Sequence, residues 1–174
     1  KKNLRTFFKY ERATISIRKE SENRRKYDKG VTSTIKLVDG DKDEYTEGSD
    51  FPTNGSLQGL PVISGTYFQT NDWRKSHHNM FRFKSSESDD YKYKSVMGVP
   101  IIIEGESRGS IILEKNDNSS FPNQELADGV LIGQVLGSAL HWKYEYEKIH
   151  KNATHDGLTG LLNHQTFKER FNDE

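Results

Sequence analysis

Lys94-Ser95-Val96-Met97-Gly98-Val99-Pro100-Ile101-Ile102-Ile103 leads through Glu104-Gly105-Glu106-Ser107-Arg108 into Gly109-Ser110-Ile111-Ile112-Leu113. Branched apolar residues crowd both arms, and the middle is polar. The pattern predicts a β-hairpin with a loop of roughly five residues, placed centrally in a sheet. Toward the N-terminus, Ala13-Thr14-Ile15-Ser16-Ile17 alternates with period two and ends in a charged run. A second strand is predicted over 32–38, closed by the turn signal Asp39-Gly40-Asp41. Residues 41–54 read as loop. A short helix is expected to start near Gly55-Ser56 and to end by Ser64-Gly65, with a strand over 66–69 after it. The polar stretch from there to Asp90 has room for a helix and a loop over 84–90. Residues 1–12 read as the end of a helix, with Leu4, Phe7 and Phe8 on one side.

On the C-terminal side, Phe121-Pro122-Asn123 opens a long helix, with Pro tolerated in its first turn. Ile132, Val135, Ala139, Trp142, Tyr146, Ile149 and Ala153 follow one another at alternating three- and four-residue steps, a heptad stripe. Leu126, Val130, Leu136 and Leu140 form a neighbouring stripe. Two stripes suit a helix that packs one on its own sheet and offers the other to a partner helix. A single wide core-facing stripe is the alternative. The expected assembly is a parallel homodimer through residues 123–153, with Ile132, Val135, Ala139, Trp142, Tyr146 and Ile149 at the interface.

The 174 residues balance 26 Lys+Arg against 26 Asp+Glu, with 32% hydrophobic and 30% charged residues. Zero net charge argues against nucleic-acid binding driven by bulk charge. The absence of cysteine excludes disulfides and Cys-ligated metal sites and fits a reducing cytoplasm, where the chain is expected to reside. No apolar run reaches the ~18 residues of a membrane span, so no membrane partner is expected. The chain opens at Lys1 and stops within a helical pattern, and is read as a piece of a longer protein.

Ala153-Thr154-His155-Asp156-Gly157-Leu158-Thr159-Gly160-Leu161-Leu162-Asn163-His164, with Phe167 beyond, resembles the opening of the GGDEF family of bacterial diguanylate cyclases. The pattern Asp-x-Leu-Thr-Gly-Leu-x-Asn is matched at every fixed position, while His164 stands where an Arg is usual. The resemblance implies that Asn163 contacts the guanine of GTP in the intact parent. It also implies that the parent joins two GTP into cyclic di-GMP with magnesium. The GGDEF signature and the metal-binding acid are not in these residues, so no catalytic residue is expected in this chain.

The preceding residues resemble a GAF domain, an α+β ligand-sensing module with an antiparallel sheet of five or six strands flanked by helices. Tyr93 to Ile101, Gly109 to Leu113, Phe121 with Glu125 and the terminal helix carry this resemblance. More specifically, the chain is similar to cyclic-nucleotide-binding GAF domains, through Val38-Asp39-Gly40, Phe51-Pro52-Thr53-Asn54-Gly55-Ser56-Leu57-Gln58-Gly59 and Asp90-Tyr91-Lys92-Tyr93-Lys94-Ser95. Val38 replaces that subfamily's stacking aromatic. Its Asn-Lys…Phe…Asp-Glu signature survives only as Lys115-Asn116, Phe121 and Glu125. The resemblance implies a GAF domain over 1–141, a signalling-helix linker over 142–154 and the truncated start of a GGDEF domain over 155–174.

The chemistry follows from these segments. Ser56, Leu57, Gln58 and Gly59 would offer backbone N–H groups to a phosphate at a helix start. By resemblance, Val38 and Asp39 lie beside the base, Thr14 projects from the first strand, and Asp89 and Tyr93 line the lid and third strand. The ligand expected is a purine cyclic nucleotide, cAMP ahead of cGMP. No metal site is expected: His77 and His78 diverge, and Asp39-Gly40-Asp41-Lys42-Asp43 lacks the rest of a calcium loop. Two readings stand side by side. One is a ligand-binding module that controls an attached cyclase. The other is a ligand-free dimerisation module that holds two GGDEF domains together.

Overall fold

The computed structural model describes residues 4–19, 30–87 and 92–154, together with Thr159, Leu161, Asn163 and Lys168. The chain divides into two compact units, residues 1–137 and 138–174. The first unit runs α1 (Leu4–Phe7), β1 (Arg12–Arg18), β2 (Thr32–Gly40), β3 (Asp50–Pro52), α2 (Leu60–Ser64), β4 (Phe68–Thr70), α3 (Trp73–Ser76), β5 (Ser95–Ile103) and β6 (Glu106–Lys115). The helix α4 (Asn123–Thr154) follows. The six strands form one antiparallel sheet in the order β3-β2-β1-β6-β5-β4.

The hairpin is tighter than its sequence suggests. Glu104 at φ 52° and Gly105 at φ 78° form a two-residue turn, and β6 begins at Glu106. Positive φ at both positions matches the right-handed twist of the strands, and Gly105 carries no steric penalty there. Of the five residues expected in the loop, the last three belong to the strand, with Arg108 taken up as a bulge opposite Ile101/Ile102. At the other side of the sheet β3 is an edge strand of three residues within the expected loop, paired with Thr32, Ser33 and Thr34.

A second bulge fixes which side chains face which way. Ser16 pairs with Ile35 and Ile15 with Leu37, so Lys36 is the extra residue on β2. Ile35 and Val38 therefore share one face, and both pack with Tyr45, Phe51 and Phe83. Asp39 turns to the other face.

That other face carries α4. Gly129, Gly133 and Gly137 recur every four residues, and they lie against β5. A β-carbon on Gly137 would strike the carbonyl of Ile102, and one on Gly133 the carbonyl of Pro100. The helix backbone thus rests on the strand backbone over the buried side chains of Met97, Val99, Ile111 and Leu113. Leu126, Val130, Leu136 and Leu140 of the neighbouring stripe are half-buried.

The first face is closed by loops. Leu57, Trp73, Val96 and Ile112 form one cluster there, with Phe68 against it. Beside the aromatic cluster lies a set of ionic side chains. Arg82 donates two hydrogen bonds to Glu114, at 2.6 and 2.7 Å, and a third to Asp43 at 2.7 Å. Arg12 lies 3.0 Å from the Asp43 carboxylate and 3.6 Å from Glu114. Arg12 and Glu114 are fully buried.

In the second unit Asn163 closes the end of α4. Its backbone N–H donates to Thr154 O and its side-chain amide to Ala153 O, which satisfies two helix-end carbonyls. Trp142, Tyr146 and Ile149 are 71%, 69% and 64% exposed.

Two substitutions test this architecture. Gly137→Ala would gain about 1 kcal/mol in an ordinary helix. Here it should instead destabilise by about 1–3 kcal/mol through overpacking, read by urea denaturation. Glu114→Gln leaves two buried guanidiniums with one carboxylate and should cost about 3–5 kcal/mol. Adding Arg82→Met to Glu114→Gln should recover part of that loss in the same measurement.

Candidate functional site

The floor of the candidate site is the loop-covered face of β1 and β6. Arg12, Thr14 and Ser16 pair with Glu114, Ile112 and Ser110 respectively, and directly opposed residues share a face. Ser16 Oγ and Ser110 Oγ share a 2.9 Å hydrogen bond, and Ser110 Oγ donates to Gln58 O at 2.8 Å. These bonds lay the segment leading into α2 across the strands. Ser107 Oγ adds a bond to Pro61 O.

Polar atoms remain over at the centre of this floor. Thr14 Oγ1 and both polar atoms of the Gln58 amide are buried without a hydrogen-bond partner among the described residues. Both residues are fully buried. Leaving such a group unsatisfied costs about 1–3 kcal/mol, which a bound partner would offset.

The other predicted residues are distributed around this floor and beyond it. Val38 packs on the aromatic cluster, and Leu57 belongs to the Trp73 cluster. Tyr93 is buried. Its carbonyl accepts the Trp73 indole N–H at 3.0 Å, and its ring lies 4.6 Å from the Arg82 guanidinium. These residues border the floor.

In the segment Ser56, Leu57, Gln58 and Gly59 the last three backbone N–H groups are not open donors, contrary to expectation. Leu57 N–H donates to Phe81 O, Gln58 N–H to Arg82 O, and Gly59 N–H to Ser56 O and Oγ. The segment runs beside residues 81–82 in a parallel bridge, and α2 itself starts only at Leu60. Ser56 Oγ in turn bonds Thr53 O, and a β-carbon on Gly59 would strike that same carbonyl.

Asp39 lies on the helix-bearing face. It accepts hydrogen bonds from Tyr10 Oη at 2.7 Å and Arg5 Nε at 3.0 Å. The Tyr10 bond, with Arg5 beside it, holds its carboxyl below the usual range. Consecutive strand residues point to opposite faces, and the bulge at Lys36 decides that Val38 rather than Asp39 meets the floor. Asp89 lies outside the described residues, as do Asp156, Leu158 and Gly160 of the C-terminal motif.

The electrostatics of the floor are closed. Burial works against the charge on Arg82, but Glu114 and Asp43 outweigh it, and its pKa rises above the ordinary value. Burial pushes the Tyr93 phenol up to about 12 and raises the Tyr45 phenol as well, so both remain neutral donors. Tyr45 and Phe83 stack at 4.1 Å, and Phe51 meets Phe83 edge-on. Arg12, Asp43, Arg82 and Glu114 escaped the sequence reading. Each looks like an ordinary surface charge, and no local pattern marks a charge that a distant strand will bury. Among the described residues, no three His, Asp or Glu side chains converge as a metal-binding set. Nor is any helix among them long and apolar enough to cross a membrane.

No protein-family model and no curated protein matches this chain in sequence. Solved structures do match its fold. The GAF domain of an Acinetobacter phosphoenolpyruvate-protein phosphotransferase superimposes with a TM-score of 0.65 at 14% identity, over 83% of this chain and 79% of that one. The GAF domain of a two-component sensor histidine kinase from Bacillus halodurans gives 0.64 at 13% identity, over 84% and 91%. The GAF-B domain of DevS from Mycobacterium smegmatis gives 0.62 at 9% identity, over 85% and 92%. Together with the six-stranded antiparallel sheet and the long C-terminal helix, these matches establish that the chain has the GAF fold.

Proposed function

We propose that this chain is the regulatory ligand-binding domain of a bacterial diguanylate cyclase, and that it takes a purine cyclic nucleotide, cAMP ahead of cGMP. The observation that carries the ligand is the unpartnered set of Thr14 Oγ1 and the Gln58 amide. A primary amide offers donors and an acceptor side by side. Adenine presents a donor next to an acceptor on its N6/N7 edge, whereas the matching guanine edge carries two acceptors. Gln58 is therefore complementary to adenine, and Thr14 supplies one further hydroxyl. The cyclase is proposed from the sequence pattern that ends in Asn163, whose role in the intact parent would be to contact GTP. Asn163 here bonds the end of α4, so the nucleotide contact requires it to leave that position.

Control of a cyclase that joins two GTP molecules requires two catalytic domains to face one another. A symmetric helix pair brings them together with one interface. The exposed Trp142, Tyr146 and Ile149 support such a pairing, with Val135 also exposed and Ile132 half-buried. The second reading, a ligand-free dimerisation module, draws on the Tyr45, Phe51 and Phe83 cluster that fills part of the loop-covered face.

Isothermal titration with cAMP and with cGMP separates the two readings. cAMP should bind, and Gln58→Leu should weaken it about tenfold or more, the loss of one to two buried hydrogen bonds. No heat from either nucleotide, with circular dichroism intact, removes the ligand and leaves the dimerisation module. For the pairing, Trp142→Glu places a charge in an exposed apolar stripe and should shift sedimentation toward monomer. Unchanged dimer affinity in that variant would sink the assignment of the stripe.

A further inference from the structure

We propose that Arg12 and Arg82 form an anion site that Asp43 occupies from within, and that the phosphoryl group of a ligand displaces this carboxylate. The proposal rests on the ligand-binding reading above and supplies a phosphate contact that the backbone N–H groups of residues 57–59 do not offer.

The geometry begins with one carboxylate shared by two cations. Asp43 Oδ1 lies 3.0 Å from Arg12 Nη1, and Oδ2 lies 2.7 Å from Arg82 Nη1. Guanidinium groups present fixed forks of N–H donors, which suit phosphate oxygens as well as carboxylate oxygens. Both forks are already oriented by other bonds. Arg82 is held from behind by two bonds to Glu114, and its guanidinium lies 4.6 Å from the Tyr93 ring and 4.7 Å from the Phe83 ring. Arg12 donates to the carbonyls of Asp41 and Tyr45. The donors would stay in place once Asp43 turned away.

Charge and exposure single out Asp43 as the replaceable acid. Glu114 sits in the middle of the sheet with its side chain 0% exposed, whereas the Asp43 side chain is 25% exposed on the loop after β2. Glu114 neutralises one of the two arginines. The second positive charge is left for Asp43, and a monoanionic phosphodiester carries the same charge. Such an exchange lowers apparent affinity by the fraction of molecules in which Asp43 has already turned out. Asp43 is then an internal competitor that sets the ligand concentration at which the domain responds.

The test uses the whole chain with inorganic phosphate and cAMP as probes. Asp43→Asn removes the competing charge, and Asp50→Asn, which breaks an exposed pair with Lys19, serves as the control. Thermal unfolding is followed in phosphate and in sodium chloride at equal ionic strength. Phosphate should raise the melting temperature of Asp43→Asn over chloride, and should not do so for the wild type or for Asp50→Asn. The affinity of Asp43→Asn for cAMP should rise about tenfold or more. If Asp43→Asn is unfolded in chloride, phosphate should refold it. Equal responses of Asp43→Asn and Asp50→Asn to phosphate, or failure of phosphate to refold an unfolded Asp43→Asn, overturns the anion site. The two readings fail separately. A phosphate response without cAMP binding in any variant keeps the anion site and removes the cyclic nucleotide. Wild-type cAMP binding left unchanged by Asp43→Asn does the reverse.

Discussion

Two arginines buried on one face of a β-sheet impose the organisation of everything above them. A guanidinium stays protonated in a protein, so Arg12 and Arg82 must each find an anion where water does not reach. Glu114, cross-strand from Arg12, answers part of that demand from within the sheet. The rest comes from Asp43, and Arg82 itself arrives on a separate segment. Satisfying the charges therefore closes the loop after β2 and the segment around residue 82 onto the same floor. Against well-packed apolar residues, a buried ionic set of this kind contributes little net stability, but breaking it is costly. Its main effect is to hold two loops in one place.

The opposite face is built on different physics. Gly129, Gly133 and Gly137 remove the β-carbons that would separate α4 from β5, and the apolar side chains of the strands fill the space on either side. One face of the sheet is consequently apolar and tightly packed where the helix meets β5. The other holds a mixture of stacked rings, paired charges and unpartnered polar atoms. The proposed ligand chemistry falls on the second face, where Thr14 Oγ1 and the Gln58 amide are buried without partners among the described residues.

A ligand on that face acts on the domain only by the difference in its affinity for two arrangements. The loop carboxylate of Asp43 supplies such a difference directly. With it turned in, the arginines are satisfied internally; with it turned out, they require an external anion. The exchange involves one side chain near the surface, which makes it a local event with no rearrangement of the sheet.

The hairpin β5–β6 and the helix α4 were legible in the sequence, because long periodic segments carry their own signal: branched residues at strand spacing, a heptad stripe and a proline at the helix entrance. The GAF fold was legible as a family resemblance that those segments carry in their order and spacing. The three-residue strand β3 was not legible, since it exists only by pairing with Thr32 to Thr34. At the site, Thr14, Gln58, Val38 and Tyr93 were picked out and lie on or beside the floor, whereas Asp39 was picked out and faces away. A single bulge at Lys36 reverses its direction, and a bulge depends on the partner strand rather than on local sequence. The backbone N–H groups of Leu57 and Gln58 were likewise committed by residues 81 and 82, far along the chain. The sequence by itself determined the long strands and the long helix, because periodicity is local. Only the tertiary structure decided which charges are buried together, because burial is a property of neighbours that the chain brings from a distance.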